Sequence, residues 1–413
     1  MPLTVDLIPD VVKEAVDTTP VIDVHTHLYR PRWGKCLLHG IDELLTYHYL
    51  TVETLRVLDM DPSQFFGMTK EKQANHVWKT LFIERSPVSE ACKGIITTLT
   101  SLGLDAKANT LDGYREFFEH VSLEERVDTV FKLAGVESVV MTNDPFDESE
   151  IQYWASDEDA DTRFRAALRL DVLLNSWPEA AEILKSRGYD VCQDASAQTL
   201  READRFIRDS VDAIKPVYFA VSLPPSFQYP DESIRGVLLE QVIIPYCVET
   251  GIPLALMIGV KKSVNPRMGL GGDSVGKASI VAVEHLCEEN PRCKFLVTML
   301  ARENQHELCV SARKFPNLMI FGCWWFLNNP SLIAEITNMR IEMLGLSFIP
   351  QHSDARVFEQ LIYKWRHSRA VLSHVLTEQY VGLAETGWSV TADDIRNDVE
   401  LLLHGNARDF LNL

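Results

Sequence analysis

Short apolar runs rich in Val, Ile, Leu and Phe punctuate the chain, and longer stretches with apolar residues at helical spacing separate them. Eight runs stand out: 20–27 (PVIDVHTH), 136–144 (VESVVMTND), 163–171 (RFRAALRLD), 216–224 (PVYFAVSLP), 252–260 (IPLALMIGV), 293–300 (CKFLVTML), 318–325 (LMIFGCWW) and 344–354 (LGLSFIPQHSD). Several lack the in–out alternation of a half-exposed strand, as burial on both faces of a parallel sheet requires. Helix-like segments lie between them. One, at 232–251, ends in Gly251, a natural C-cap before the next strand. Eight strands alternating with helices predict an α/β chain folded as a (β/α)8 barrel of the TIM type, not a doubly wound sheet.

The alternation breaks once. More than a hundred residues separate the first two strands, and they carry Leu, aromatic and charged residues at helical spacing, as in IDELLTYHYLTVETLRVL and LDGYREFFEHVSLEERVDTVFKLAG. A structureless connection of that length is implausible in a compact domain. The reading is a helical insertion over 33–130 covering the mouth of a barrel formed by 1–32 and 131–413. The tail, 391–413, reads as a closing helix, then Gly405, then a last helical turn.

At 413 residues with 46% hydrophobic and 24% charged residues, the composition is that of a soluble globular protein with a large core. A formal net charge of −19 argues against non-specific binding to nucleic acid or anionic membranes. It leaves room for an anionic small molecule gripped by a local cluster of Arg or Lys. The eight cysteines form no C-x-x-C pair, and several lie in apolar runs, so buried free thiols are expected. The first twenty residues lack a basic segment followed by an apolar one, and no stretch has the apolar length of a membrane span. A cytoplasmic protein is expected.

In barrels of this kind chemistry gathers at the C-terminal ends of the strands. Those ends carry, in order, His25 and His27, Thr142-Asn143-Asp144, Arg169 and Asp171, Ser222, Lys261 and Lys262, Arg302, Trp324 and Trp325, then His352, Asp354 and Arg356. Residues two apart on a strand share a face, so both imidazoles of H-T-H converge on one point. With Asp354 closing the last strand they make a ligand set for one divalent cation: zinc, with manganese or iron as alternatives. Three protein ligands leave positions open for water or substrate.

D-V-H-T-H (23–27) resembles the D-x-H-x-H opening of the amidohydrolase superfamily. Several further stretches are similar to one member family, the uronate (glucuronate) isomerases: LLTYHYL, NHVWKTLF, MTNDPFD, ALRLD, FGCWWFLNNP and HSDARVFEQLIYKWR. They run in order from about residue 20 to 370. The resemblance implies that His25, His27 and Asp354 hold one metal. It implies that Arg169 grips the substrate carboxylate and that His48 and Tyr49 reach in from the insertion, with Tyr49, Arg356 and Asp354 serving catalysis. Trp324 and Trp325 would wall the pocket. The reaction implied interconverts an aldo-uronate, D-glucuronate or D-galacturonate, with its keto form, and the family leads one to expect a homo-oligomer. For Tyr49 to act as a base, its phenol, near 10 when unperturbed, needs a neighbouring cation, and Arg356 is placed for that.

The sequence departs from the family at the fifth strand, where the expected His is Met257 and the expected Arg is at best a Lys. His352, two residues before Asp354, is placed either to fill the missing ligand position or to make a hydrogen bond in the core. A mononuclear metal-dependent hydrolase or decarboxylase acting on a carboxylated substrate is the alternative; the lack of a Lys or Glu in PVYFAVSLPP argues against a binuclear hydrolase, and Tyr49 with Arg356 and the Trp pair favour the isomerase. A third reading, a barrel that has lost its metal and only binds, has Met257 alone in its favour.

Overall fold

The computed structural model describes residues 2–154 and 161–413. Seven parallel strands form one curled sheet in the order β1 (Val21–Thr26), β2 (Val136–Asn143), β3 (Phe164–Arg169), β4 (Phe219–Leu223), β5 (Leu254–Ile258), β8 (Phe295–Met299) and β9 (Leu318–Ile320). A two-stranded antiparallel ribbon, β6 (Val260–Lys261) with β7 (Ser274–Val275), projects from the end of β5. The architecture is the TIM-type barrel that the alternation predicts.

The eighth run occupies the expected place but is not a strand. Its backbone bridges β9 through Phe321 and Ile349. On the other side Asp354 N donates to His25 O at 3.1 Å and His27 N to Ala355 O at 2.7 Å, which closes the ring onto β1. Between these points side chains take the donors that a ladder would use. Gln351 Oε1 accepts from Cys323 N (2.8 Å) and His352 N (3.0 Å), and Asp23 Oδ1 accepts from Ser353 N (3.0 Å). Buried backbone donors must find acceptors; here carboxylate and amide oxygens supply them, and the chain bends instead of pairing.

Ile22, Val24, Val140, Ala167, Tyr218, Ala220, Ala255, Met257 and Leu296 fill the barrel interior. The helices pack outside the sheet on a second, larger cluster. The predicted helix at 232–251 forms, with a π-turn at Leu239–Ile243 just before Pro245. Its cap is Gly251, left-handed at φ 76, whose N–H reaches Cys247 O. At the C-terminus Gly405 does not end a helix: at φ −60 it carries the chain through a π-turn straight into Asn406–Leu411. All eight cysteines are free thiols, six of them buried. Among the described residues no helix is long and apolar enough to cross a membrane.

The regular elements of the connection between β1 and β2 are all helices, with their own core around Ile41, Leu44, Leu50, Trp78 and Ile95. Its last helix, Leu123–Ala134, buries Val127, Val130 and Phe131 against the barrel instead. The insertion docks on the long helix Gln360–Glu385, and Gly94 is packed tightly there: a Cβ at this position would lie 2.7 Å from the Tyr363 ring. In an open helix Gly→Ala stabilises by about 1 kcal/mol. At this position overpacking reverses the sign, and Gly94→Ala is expected to lower stability by about 1–3 kcal/mol in chemical denaturation.

Candidate active site

The histidine pair owes its aim to an irregularity in β1. Ile22 and Val24 point into the barrel, so simple alternation would turn His25 and His27 outward. The pairing with β2 shifts between Asp23 and Thr26, where three steps along β1 match two along β2. Such a bulge reverses the phase of a strand, and both imidazoles then face the cavity at the C-terminal mouth.

Each ring is held in a defined tautomer. Tyr218 donates its hydroxyl proton to Val24 O (2.7 Å), so its oxygen is free to accept from His25 Nδ1 at 3.0 Å. Thr142 donates to Thr26 O (3.0 Å) and accepts from His27 Nδ1 at 2.9 Å. With Nδ1 protonated in both, the Nε2 lone pairs are left facing Asp354 Oδ1, at 3.8 Å from His25 and 3.3 Å from His27. This is the outer arrangement that orients metal-bound imidazoles. Burial pushes the His25 pKa down to about 3 and holds His27 well below the usual range, with Arg356 and Arg169 adding to the effect at His27. Both rings are therefore neutral at ordinary pH, the form in which an imidazole can ligate a metal.

Asp354 is held in the left-handed region at φ 51, and its Oδ1 is buried without a hydrogen-bond partner. An orphaned carboxylate oxygen facing two imidazole lone pairs fits a divalent cation as the missing partner. Among the described residues, His25, His27 and Asp354 make up the one group of three or more such side chains that converges closely enough to hold a metal ion. His352 is not part of it. It packs edge-on to His25, ring centroids 5.1 Å apart, with neither nitrogen hydrogen-bonded. Met257 lies in the cavity wall.

Around this centre the cavity carries two guanidinium groups. Burial opposes the charge on Arg169, but Asp171 (3.3 Å) and Asp144 (3.9 Å) outweigh it and hold the side chain as a cation. Arg356 places Nη2 3.4 Å from His27 Nε2. His48 and Trp325 face one another, centroids 5.8 Å apart, and Trp324 backs Trp325. Trp325 sits at φ 44, a second strained residue at the same site. His48 Nε2 and Trp325 Nε1 are both buried without partners. Burial, then Arg356, takes the His48 pKa down to about 3.

Two placements differ from the sequence reading. Tyr47, which the sequence reading passed over, lines the outer cavity and is the phenol beside Arg356. Tyr49 lies behind it, and burial raises its pKa well above the usual phenol value, with Tyr47, Asp354 and Tyr363 adding to the shift. Lys262 reaches the cavity with its ammonium 2.8 Å from Asp273. Tyr218 was detectable in principle: in PVYFAVS, residues 218, 220 and 222 share one face, and 222 ends at the site.

No protein-family model matches the chain, and no curated protein sequence does. Among solved structures the chain is similar to an uronate isomerase from Bacillus halodurans C-125, at 51% identity and a TM-score of 0.98, covering 100% of this chain and 98% of that one. An uronate isomerase from Thermotoga maritima matches at 17% identity and TM-score 0.78, over 100% of both chains. A glucuronate isomerase from Caulobacter crescentus matches at 15% identity and TM-score 0.77, over 99% of this chain and 94% of that one. The last two share the fold.

Thr142→Val and Tyr218→Phe each remove the oxygen that fixes one imidazole tautomer. Each is expected to weaken divalent-metal affinity by about 10–100-fold in a chelator competition, leaving the fold intact. The neutral rings give a second expectation. Because protons do not compete at His25 or His27, affinity is expected to change by less than about threefold from pH 7.5 to 6. A pair of imidazoles titrating near 6.5 would lose roughly tenfold.

Proposed function

The chain belongs to the uronate isomerase family: it is an aldose–ketose isomerase acting on a uronate, and we propose that the convergent site just described carries that reaction. The observation behind this reading is the set of unpartnered polar atoms around one cavity, Asp354 Oδ1, His48 Nε2 and Trp325 Nε1, flanked by Arg169 and Arg356. A hydroxyl-rich, carboxylated molecule supplies the hydrogen bonds and the negative charge that those atoms lack.

Isomerisation moves one proton from C2 to C1 and a second from the C2 hydroxyl to the C1 oxygen. The barrier lies in the negative charge that builds on the two oxygens between these transfers. A divalent cation, zinc in our proposal, held by His25, His27 and Asp354, would polarise substrate oxygens as a Lewis acid. Arg169, braced by Asp171, holds the carboxylate, and Arg356 adds a second charge across the cavity. Neutral His48 and the Trp325 indole orient sugar hydroxyls, and Trp324 shields the chamber. Tyr47, which lines the cavity beside Arg356 where Tyr49 does not, takes the C2 proton as a phenolate and returns it to C1. The substrate is D-glucuronate or D-galacturonate.

In D₂O with one equivalent of zinc, the protein is expected to convert D-glucuronate or D-galacturonate to the keto acid and to leave deuterium at C2 of the recovered aldose. Arg169→Met is expected to raise KM about tenfold or more, with a smaller change in kcat. Neither keto product nor exchange with either sugar at full metal occupancy would reject the reading.

A further inference from the structure

Glu150, in the first turn of the short helix Glu148–Trp154, is a carboxylate only 2% exposed at the edge of the outer cavity. Both of its oxygens are taken. Oε1 accepts from the Tyr29 hydroxyl at 2.6 Å, and Oε2 accepts from Asn143 Nδ2 at 3.2 Å and from Asp144 N at 3.1 Å. Tyr29 lies two residues beyond His27 on the chain leaving β1, Asn143 ends β2, and Asp144 follows it. One side chain thus fastens the ends of two neighbouring strands to each other. Asp144 carries the connection onward: its Oδ2 stands 3.9 Å from Arg169 Nη1, and its Oδ1 accepts from Phe146 N at 2.9 Å. Asp171, the other brace of Arg169, is anchored separately through Ser222 N at 3.3 Å. Tyr29, Asp144, Glu150 and Arg169 all line the outer cavity.

Burial pushes the Glu150 pKa up to about 7, and the strongest opposing influences are the hydrogen bonds from Tyr29, Asn143 and Asp144. None of these three donors carries a positive charge. A buried carboxylate held only by neutral donors is costly, and Asp144 beside it adds repulsion. Capping the Asp144 amide alone would need one neutral acceptor. Two oxygens that reach both strand ends are needed where the position of one end against the other matters. We infer that Glu150 is a positioning residue for the isomerisation: by fastening Tyr29 and Asp144 it fixes the aim of Arg169 at the substrate carboxylate. The inference rests on the isomerase reading and deepens it, because Glu150 acts through Arg169 and not on the sugar.

Glu150→Leu removes the acceptor from all three donors. Glu150→Gln returns one, its carbonyl turned to Asp144 N and Asn143 and its amide donating to the Tyr29 oxygen. In the zinc-loaded full-length protein the Leu variant is expected to raise KM for the uronate at least about fivefold with kcat within about threefold, and the Gln variant to stay within about twofold of wild type. In an Arg169→Met background the Leu substitution is expected to raise KM by less than about twofold more, since its effect passes through the guanidinium. Leu strands buried donors, so Tyr29→Phe, which removes one bond and strands none, is the second variant, with KM expected to rise about threefold. KM within about twofold of wild type in Glu150→Leu, or in Tyr29→Phe where the Leu variant does not fold, overturns the inference. An undiminished rise in the Arg169→Met background overturns it too, as does a KM in Glu150→Gln as high as in Glu150→Leu. Activity lost only together with zinc or melting temperature marks a structural residue and overturns it as well. Each of these outcomes leaves the isomerase reading standing, whereas absence of turnover in the wild type strikes that reading itself.

Discussion

One buried carboxylate ties the three parts of this molecule that must meet for a site to exist. Asp23 Oδ1 accepts from Ser353 N at 3.0 Å and from His25 N at 3.5 Å, and Oδ2 accepts from the Trp365 indole at 2.8 Å. The first bond holds the closing segment, the second the bulge in β1, and the third the long helix Gln360–Glu385. Burial pushes the Asp23 pKa up to about 6, and the bonds to Ser353, Trp365 and His25 oppose that shift. The group is therefore expensive to keep charged, and it is kept where three elements converge. The bulge turns the imidazoles inward, and the closing segment brings Asp354 to them from more than three hundred residues away.

The electrostatics follow from that convergence. Burial and surrounding cations keep the imidazoles of His25, His27, His48 and His352 neutral, so the site's charge is carried by Asp354 against Arg169 and Arg356. Backbone strain is concentrated here as well. Asp354 and Trp325 are two of the five non-glycine residues with positive φ among those described. A ligand oxygen and an aromatic wall are thus held in conformations that the local sequence does not favour, and the surrounding packing maintains them.

Much of this was legible in the chain itself, for a definite reason. Apolar runs ending in His, Arg, Trp or Asp mark both the strands and their functional ends, so His25, His27, Arg169, Trp324, Trp325, Asp354 and Arg356 could be named together. What escaped depends on partners that no local pattern encodes. The bulge exists only in the register between β1 and β2. LGLSFIPQHSD has strand-like apolarity, yet Gln351 and Asp23 capture the donors that would have made it a strand. The neighbours of Arg356 were misassigned because Tyr47 and Tyr49 flank a helix start, where one residue decides which phenol faces the cavity. His352 was readable as a ligand by spacing, but the left-handed turn at Asp354 breaks the extended geometry on which the spacing argument relied.

The central claim is that a bulged strand and a clamped aspartate build a three-ligand metal centre from His25, His27 and Asp354, without the histidine that Met257 replaces. X-ray absorption at the zinc edge, on protein loaded with one equivalent, tests it most directly. The account expects two imidazole ligands with oxygen completing the shell and no sulfur. A third imidazole, which would bring in His352, or a zinc–sulfur distance from Met257 would contradict it.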